Sequence, residues 1–166
     1  MIAVETNVLV YAHQRWSREH PVAHAVMSAL AASTQPWAIP WPCVYEFYRV
    51  VTDPLVWKAR ASTPQQAWAQ LEDWLRSPSL QLIGETETTI SILGPLLRGR
   101  VRGAKVHDAR IAALCLAHGV DTLYSRDRDF TRFPELTVVD PFAVKPPSRA
   151  GERRARYALR VSRQGA

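Results

Sequence analysis

Residues 1–14 read MIAVETNVLVYAHQ. Ile2, Ala3 and Val4 are apolar without alternation, the pattern of a short strand buried on both faces, as in parallel sheets. Glu5, Thr6 and Asn7 follow at once, and a second apolar run opens at Val8. A carboxylate at the end of a buried strand is costly to desolvate. Glu5 therefore belongs at the open end of a sheet, or beside a partner.

Working outward, residues 7–14 predict a turn into a first helical segment. Residues 17–32 predict a helix capped by Ser17, with Val22, Val26, Ala29 and Leu30 at helical spacing. A brief strand is expected at residues 37–39, and Pro42 opens a helix striped by Cys43, Phe47, Val50 and Val51. Residues 53–62 read as loop. Thr63-Pro64-Gln65-Gln66 is a capping box that starts a helix carrying Ala67, Trp68, Leu71, Trp74 and Leu75, with Trp68 and Trp74 expected in the core or between helices. Strands are expected at residues 80–83, 121–125 and 136–139. Helices are expected at residues 86–97, kinked or ended by Pro95, and at residues 107–118, stopped by Gly119. Strands alternating with helices predict a three-layer α/β/α sandwich around a mainly parallel sheet.

The 166 residues, 47% hydrophobic, suit one globular domain with a full core. No apolar run reaches about 18 residues, so no membrane span is expected, and the start lacks the pattern of a signal peptide. Cys43 and Cys115 lie in apolar stretches and read as buried thiols of a cytoplasmic protein. The net charge of +6 is uneven: residues 144–166 hold seven basic residues and one acid, leaving the first 143 residues neutral. The domain is expected over residues 1–142. Residues 143–166 are expected to form a basic, flexible tail, open to phosphate contacts but more simply a solvated end.

In open parallel sheets, ligands bind beyond the carboxyl ends of the strands, where the strand order reverses. Glu5 follows the first strand, while Ser125, Asp127 and Asp129 follow a later one. Asp108 shares a helix face with Ile111, Ala112 and Cys115, and Glu46 shares one with Cys43 and Val50. Glu5, Glu46, Asp108, Asp127 and Asp129 can thus converge from separate segments. Taken singly, each is an ordinary turn or helix acid; the joint placement carries the argument. Carboxylates so crowded need a cation to stay ionised. Oxygen donors without a cysteine or histidine cluster point to Mg2+ or Mn2+, and to chemistry on a phosphodiester.

The segments VETNVLVYA, the Glu46 helix, KVHDARIAAL and LYSRDRDFTRFPELTVVDP together resemble a PIN-domain ribonuclease, above all the VapC-type toxins of toxin–antitoxin pairs. The resemblance runs from about Met1 to Phe142 and implies a sheet ordered 3-2-1-4-5. It implies catalytic roles for Glu5, Glu46, Asp108 and Asp127, metal ligation by Glu5, Asp108, Asp127 and Asp129, and supporting roles for Thr6, Asn7 and Ser125. It also implies RNA as substrate, a VapB-type antitoxin and a homodimer. Glu5 departs from the family, whose first acid is normally aspartate. The extra methylene moves the carboxylate by roughly 1.5 Å, a shift that octahedral Mg2+ tolerates poorly. Weakened activity is the expectation, and a disabled PIN-like protein that binds RNA or antitoxin is the alternative.

Basic residues surround the acids in sequence: Arg100, Arg102 and Lys105 on one side, Arg126 and Arg128 on the other. They are expected to bind the nucleic-acid backbone. Trp57-Lys58-Ala59-Arg60 is a second candidate for base stacking or antitoxin contact. A haloacid-dehalogenase-like phosphohydrolase, suggested by Asp127-Arg128-Asp129, ranks below the nuclease. It needs a downstream lysine, and the only one, Lys145, lies in the linker to the tail.

Overall fold

The computed structural model describes residues 1–98 and 101–143. Arg100 and the basic tail from residue 144 onward lie outside the described residues. Among the described residues the elements run β1 (Ile2–Val4), α1 (Thr6–His13), α2 (His20–Ala32), β2 (Trp37–Pro40), α3 (Trp41–Thr52), α4 (Pro54–Trp57), α5 (Pro64–Leu75), β3 (Leu80–Ile83), α6 (Glu87–Leu97), α7 (Val106–Ala117), β4 (Thr122–Tyr124) and β5 (Thr137–Val139). Short 3-10 turns occupy Lys58–Arg60, Gly103–Lys105 and Arg128–Arg132. None of these helices is long and apolar enough to cross a membrane.

All five strands are parallel, in the order β3-β2-β1-β4-β5. Parallel pairing needs crossovers, which are nearly always right-handed. The chain moves one way along the sheet from β1 to β3 and the other way from β3 to β5. Helices inserted before and after that reversal must therefore cover opposite faces. The packing follows: α1, α2, α3 and α5 contact one another in series, while α6 packs on α7. Covered on both faces, the central strands β1, β2 and β4 need no polar side, while the edge strands expose Gln81 and Thr137. Ala3, Val4, Trp37, Ala38, Ile39 and Leu123 are all buried.

Phe47 joins three elements of one layer. Its ring meets Trp74 of α5 edge-on at 5.0 Å and His13 of α1 at 5.5 Å, and it is fully buried. Losing a ring of this kind costs roughly 3–5 kcal/mol. Glu46 precedes it on α3, so this packing holds the acid's helix in place.

Several local expectations are corrected. The buried stripe of α2 is Ala23 and Met27, while Val22 is exposed. In an alanine-rich helix several stripes look apolar, and the sequence does not choose among them. Ser17 does not cap that helix, which begins at His20; its hydroxyl binds Glu19 instead, at 2.6 Å. Residues 53–62 are not plain loop: Asp53 accepts a hydrogen bond from the Leu55 N–H at 2.8 Å and caps α4. Pro95 does not end α6, which continues to Leu97. Trp68 lies on the exposed side of α5 and donates to Glu72 Oε1 at 2.9 Å. The Thr63 capping box forms as expected.

α7 ends at Ala117 and is followed after His118 by Gly119, whose φ of +68° lies in the left-handed region. There the Val120 N–H turns back to the Cys115 carbonyl at 2.8 Å and leads into β4. Gly119→Ala is expected to destabilise the protein by about 1 kcal/mol. The midpoint of urea unfolding measures it, and an unchanged midpoint would contradict the role assigned to that turn.

Candidate functional site

Val4 and Tyr124 are register partners, so β1 and β4 finish side by side where the strand order reverses. The Glu5 N–H extends the ladder by donating to the Tyr124 carbonyl at 3.1 Å. The Glu5 side chain then turns back over α1, where it caps the helix by accepting from the Asn7 N–H at 3.1 Å. A helix N-terminus is a favourable place for a carboxylate. Only 7% of Glu5 is exposed.

One buried hydroxyl organises the loop after β4. Ser125 Oγ donates to Glu5 Oε2 at 3.3 Å, and it accepts from Asn7 Nδ2 at 3.1 Å and from the Asp127 N–H at 3.0 Å. Asn7 Oδ1 accepts from the Arg126 N–H at 3.2 Å. Asp127 in turn accepts from the Asp129 N–H at 2.8 Å and caps the 3-10 turn that follows. The segment is thereby fastened to the end of β1 in one fixed path.

Two helices supply the remaining acids. Glu46 on α3 accepts from Thr6 Oγ1 at 3.1 Å and lies 3.7 Å from Arg49. Asp108 stands in the first turn of α7, whose Ile111, Ala112 and Cys115 are buried, so the acid projects from the packed face of its helix. Glu5, Glu46, Asp108 and Asp127 line a single cleft of about 530 Å3, together with Tyr45, Arg49, Lys105 and His107 among others. Asp129 is not one of its walls, but it offers an oxygen to a tighter group. One carboxylate oxygen each from Asp108, Asp127 and Asp129 lies within 4.8 Å of the others. Glu5 is not part of that group.

The electrostatics reflect burial first and the crowding of acids second. Burial pushes the Glu5 carboxyl up to about 7; the Asn7 N–H and the Thr6 and Ser125 hydroxyls act against this, and the Glu46 charge adds to it. Asp108 is also raised, first by burial and then by Asp127 and Glu46, with Lys105 opposing. Lys105 Nζ contacts the Asp129 carboxylate and stands 3.8 Å from Asp108 Oδ2. The three gathered acids offer only oxygen donors, a set that suits a hard divalent cation.

The basic residues divide. Lys105 stands in the cleft, and Arg102 and Arg128 are exposed. Arg126 turns away: its guanidinium pairs with Glu19 at 2.8 Å and lies 5.6 Å from the centre of the Phe142 ring. Trp57 is held by the Val50 carbonyl at 2.7 Å and meets Trp16 edge-on, with Arg60 over Trp16, at a separate polar groove. His107 lines the cleft, and Lys105 holds the capping position of α7 without a side-chain bond. Tyr45 and Arg49 were not singled out from the sequence. Arg49 had a signal, since it follows Glu46 at helical i,i+3 spacing.

The family model described as PIN domain matches residues 2–136. Ribonuclease VapC48 of Mycobacterium tuberculosis is 31% identical over 144 residues, covering 84% of this chain and 96% of that protein. Ribonuclease VapC43 of the same organism is 32% identical over 137 residues, covering 82% and 92%. In fold, the chain is similar to VapBC2 from Rickettsia felis bound to a promoter DNA fragment, with a TM-score of 0.61 over 84% of this chain and 98% of the other, at 22% identity.

A raised Glu5 pKa means that the folded state holds the proton more firmly than the unfolded chain. The stability it contributes is full below the ordinary value of 4.5 and is lost as the pH rises through about 7. The loss amounts to roughly 3 kcal/mol. Glu5→Gln is therefore expected to melt above the parent at pH 8 in chelator, with the gap closing by pH 4.5. His13, lowered by burial, acts in the opposite sense, so the comparison is variant against parent. A gap of constant size across that range would refute the burial argument.

Proposed function

The chain belongs to the PIN-domain family, in its VapC-type ribonuclease branch, and from that premise we propose that it cuts RNA endonucleolytically with Mg2+ or Mn2+, as the toxin of a VapBC-type pair. The observation that carries this reading is the approach of Asp108, Asp127 and Asp129 to within 4.8 Å, beside a cleft that also holds Glu5 and Glu46. A divalent ion held by those three aspartates, with Glu5 as a fourth carboxylate, would offset the charge developing on a phosphodiester and make water a better nucleophile.

The remaining roles fall to the chain itself. Glu46, held by Thr6 and open to solvent, is the general base that takes the proton of the attacking water. Thr6, Asn7 and Ser125 are positioning residues, since they bind the acids and the loop that bears them. Lys105, Arg102, Arg128 and, from outside the described residues, Arg100 receive the RNA backbone. Arg126 would have to leave Glu19 to join them. The VapB-type antitoxin and the homodimer come with the family. The solved relatives include VapBC assemblies from Rickettsia felis and Salmonella typhimurium. A cytoplasmic location agrees with two free, buried cysteines.

Incubation with total RNA tests the reading. Cleavage is expected to need Mg2+ or Mn2+, and Asp108→Ala is expected to lower it by about a hundredfold or more. Cleavage indifferent to both would reject it.

Glu5 bears on how active the chain is. Its burial leaves little room to recentre a cation around the longer side chain. Glu5→Asp is therefore expected to raise the rate of Mg2+-dependent RNA cleavage, and no gain would show that the longer acid is no handicap. The same burial favours a second reading, a PIN-like protein that binds RNA or antitoxin without cutting. A chain that retains labelled RNA but takes up no Mn2+ would establish that reading instead.

A further inference from the structure

Crowded carboxylates need a counter-charge whether or not a metal is bound. In this chain that charge comes from a specific place. The 3-10 turn Gly103–Lys105 opens at a glycine with φ +57° and delivers Lys105 directly before α7, three residues ahead of Asp108. The Lys105 ammonium touches Asp129 Oδ2 and lies 3.8 Å from Asp108 Oδ2. It thus sits against two of the three carboxylates that gather their oxygens within 4.8 Å.

The other cations near the cleft are committed differently. Arg49 lies beside Glu46 and Arg110 is paired with Glu85, while Arg132 approaches the opposite oxygen of Asp129, Oδ1, at 3.3 Å. Among the described residues, Lys105 is the basic side chain bridging two members of the acidic group.

We propose that Lys105 is a tethered counter-ion of this site, which a divalent cation must displace from Asp108 and Asp129 in order to bind. The inference rests on the metal-dependent reading given above and adds to it an order of events. A divalent ion coordinates carboxylate oxygens at about 2.0–2.1 Å for Mg2+. An ammonium against the same oxygen would be repelled by it. Lysine is suited to leave, because its charge is compact and carried on a flexible four-carbon stem. Displaced, the ammonium stays inside the cleft that it lines, where the phosphate of a bound RNA would take it up. Lys105 therefore meets RNA only after the metal is in place.

The test is Mn2+ binding to the RNA-free full chain, read from the electron paramagnetic resonance signal of free Mn2+. Lys105→Gln is expected to tighten Mn2+ binding by about tenfold or more. Arg49→Gln removes an equal charge from the same cleft without touching the three aspartates. It is expected to change the affinity by less than about threefold at physiological salt, where distant charges are screened. Lys105→Arg keeps the charge in a group that pairs more firmly with carboxylates, and it is expected to bind Mn2+ no more tightly than the parent. Equal effects of the Gln variants at positions 105 and 49, or none at position 105, would overturn the proposal while leaving the nuclease reading intact. Failure of both the parent and Lys105→Gln to take up Mn2+ would remove both. Uptake by Lys105→Gln alone would support the displacement.

Discussion

Mutual repulsion among acids at one end of a parallel sheet is the constraint around which this molecule is built. Glu5, Glu46, Asp108 and Asp127 share a cleft, with Asp129 beside it. Each is placed at a helix start, a turn cap or a hydroxyl that lowers the cost of its charge. Glu5 caps α1, Asp127 caps a 3-10 turn, Asp108 opens α7, and Thr6 binds Glu46. Burial first, and the neighbouring acids after it, still leave the pKa of Glu5 and Asp108 raised.

The fold makes the gathering possible through a single topological fact. The sheet reverses direction between β1 and β4, so no crossover helix covers the gap at their carboxyl ends. The flanking helices then point their first turns at that gap: α1 begins right after β1, and α3 right after β2. Packing sets the aim of those turns. Phe47 beside Glu46, and Ala109 beside Asp108, are buried completely. A lost contact in that core would therefore be felt as a misplaced carboxylate as well as lost stability.

Much of this was legible in the sequence, for identifiable reasons. The non-alternating run Ile2–Val4 reported a buried parallel strand because such a strand has no wet side, whereas the edge strand at residues 80–83 keeps Gln81 exposed. The convergence of the acids followed from strand ends and helix faces, which local spacing encodes. Long side chains were less readable. Arg126 stands next to the acids in sequence, yet its guanidinium reaches back to Glu19, 107 residues away, where Ser17 and Arg126 together hold the carboxyl down at about 2. Sequence neighbourhood fixes where a Cα lies, not where six further atoms lead. Trp68 failed for another reason, since helical spacing marks a stripe but not whether a neighbour covers it.

The Ser125 hydroxyl has one proton to give and two lone pairs to offer, and all three are engaged. Although it lies among catalytic-looking acids, it has no spare electron pair with which to attack an electrophile. Acylating or phosphonylating reagents aimed at activated serines should therefore pass this protein by, and a methyl group added at this position would meet buried neighbours rather than solvent.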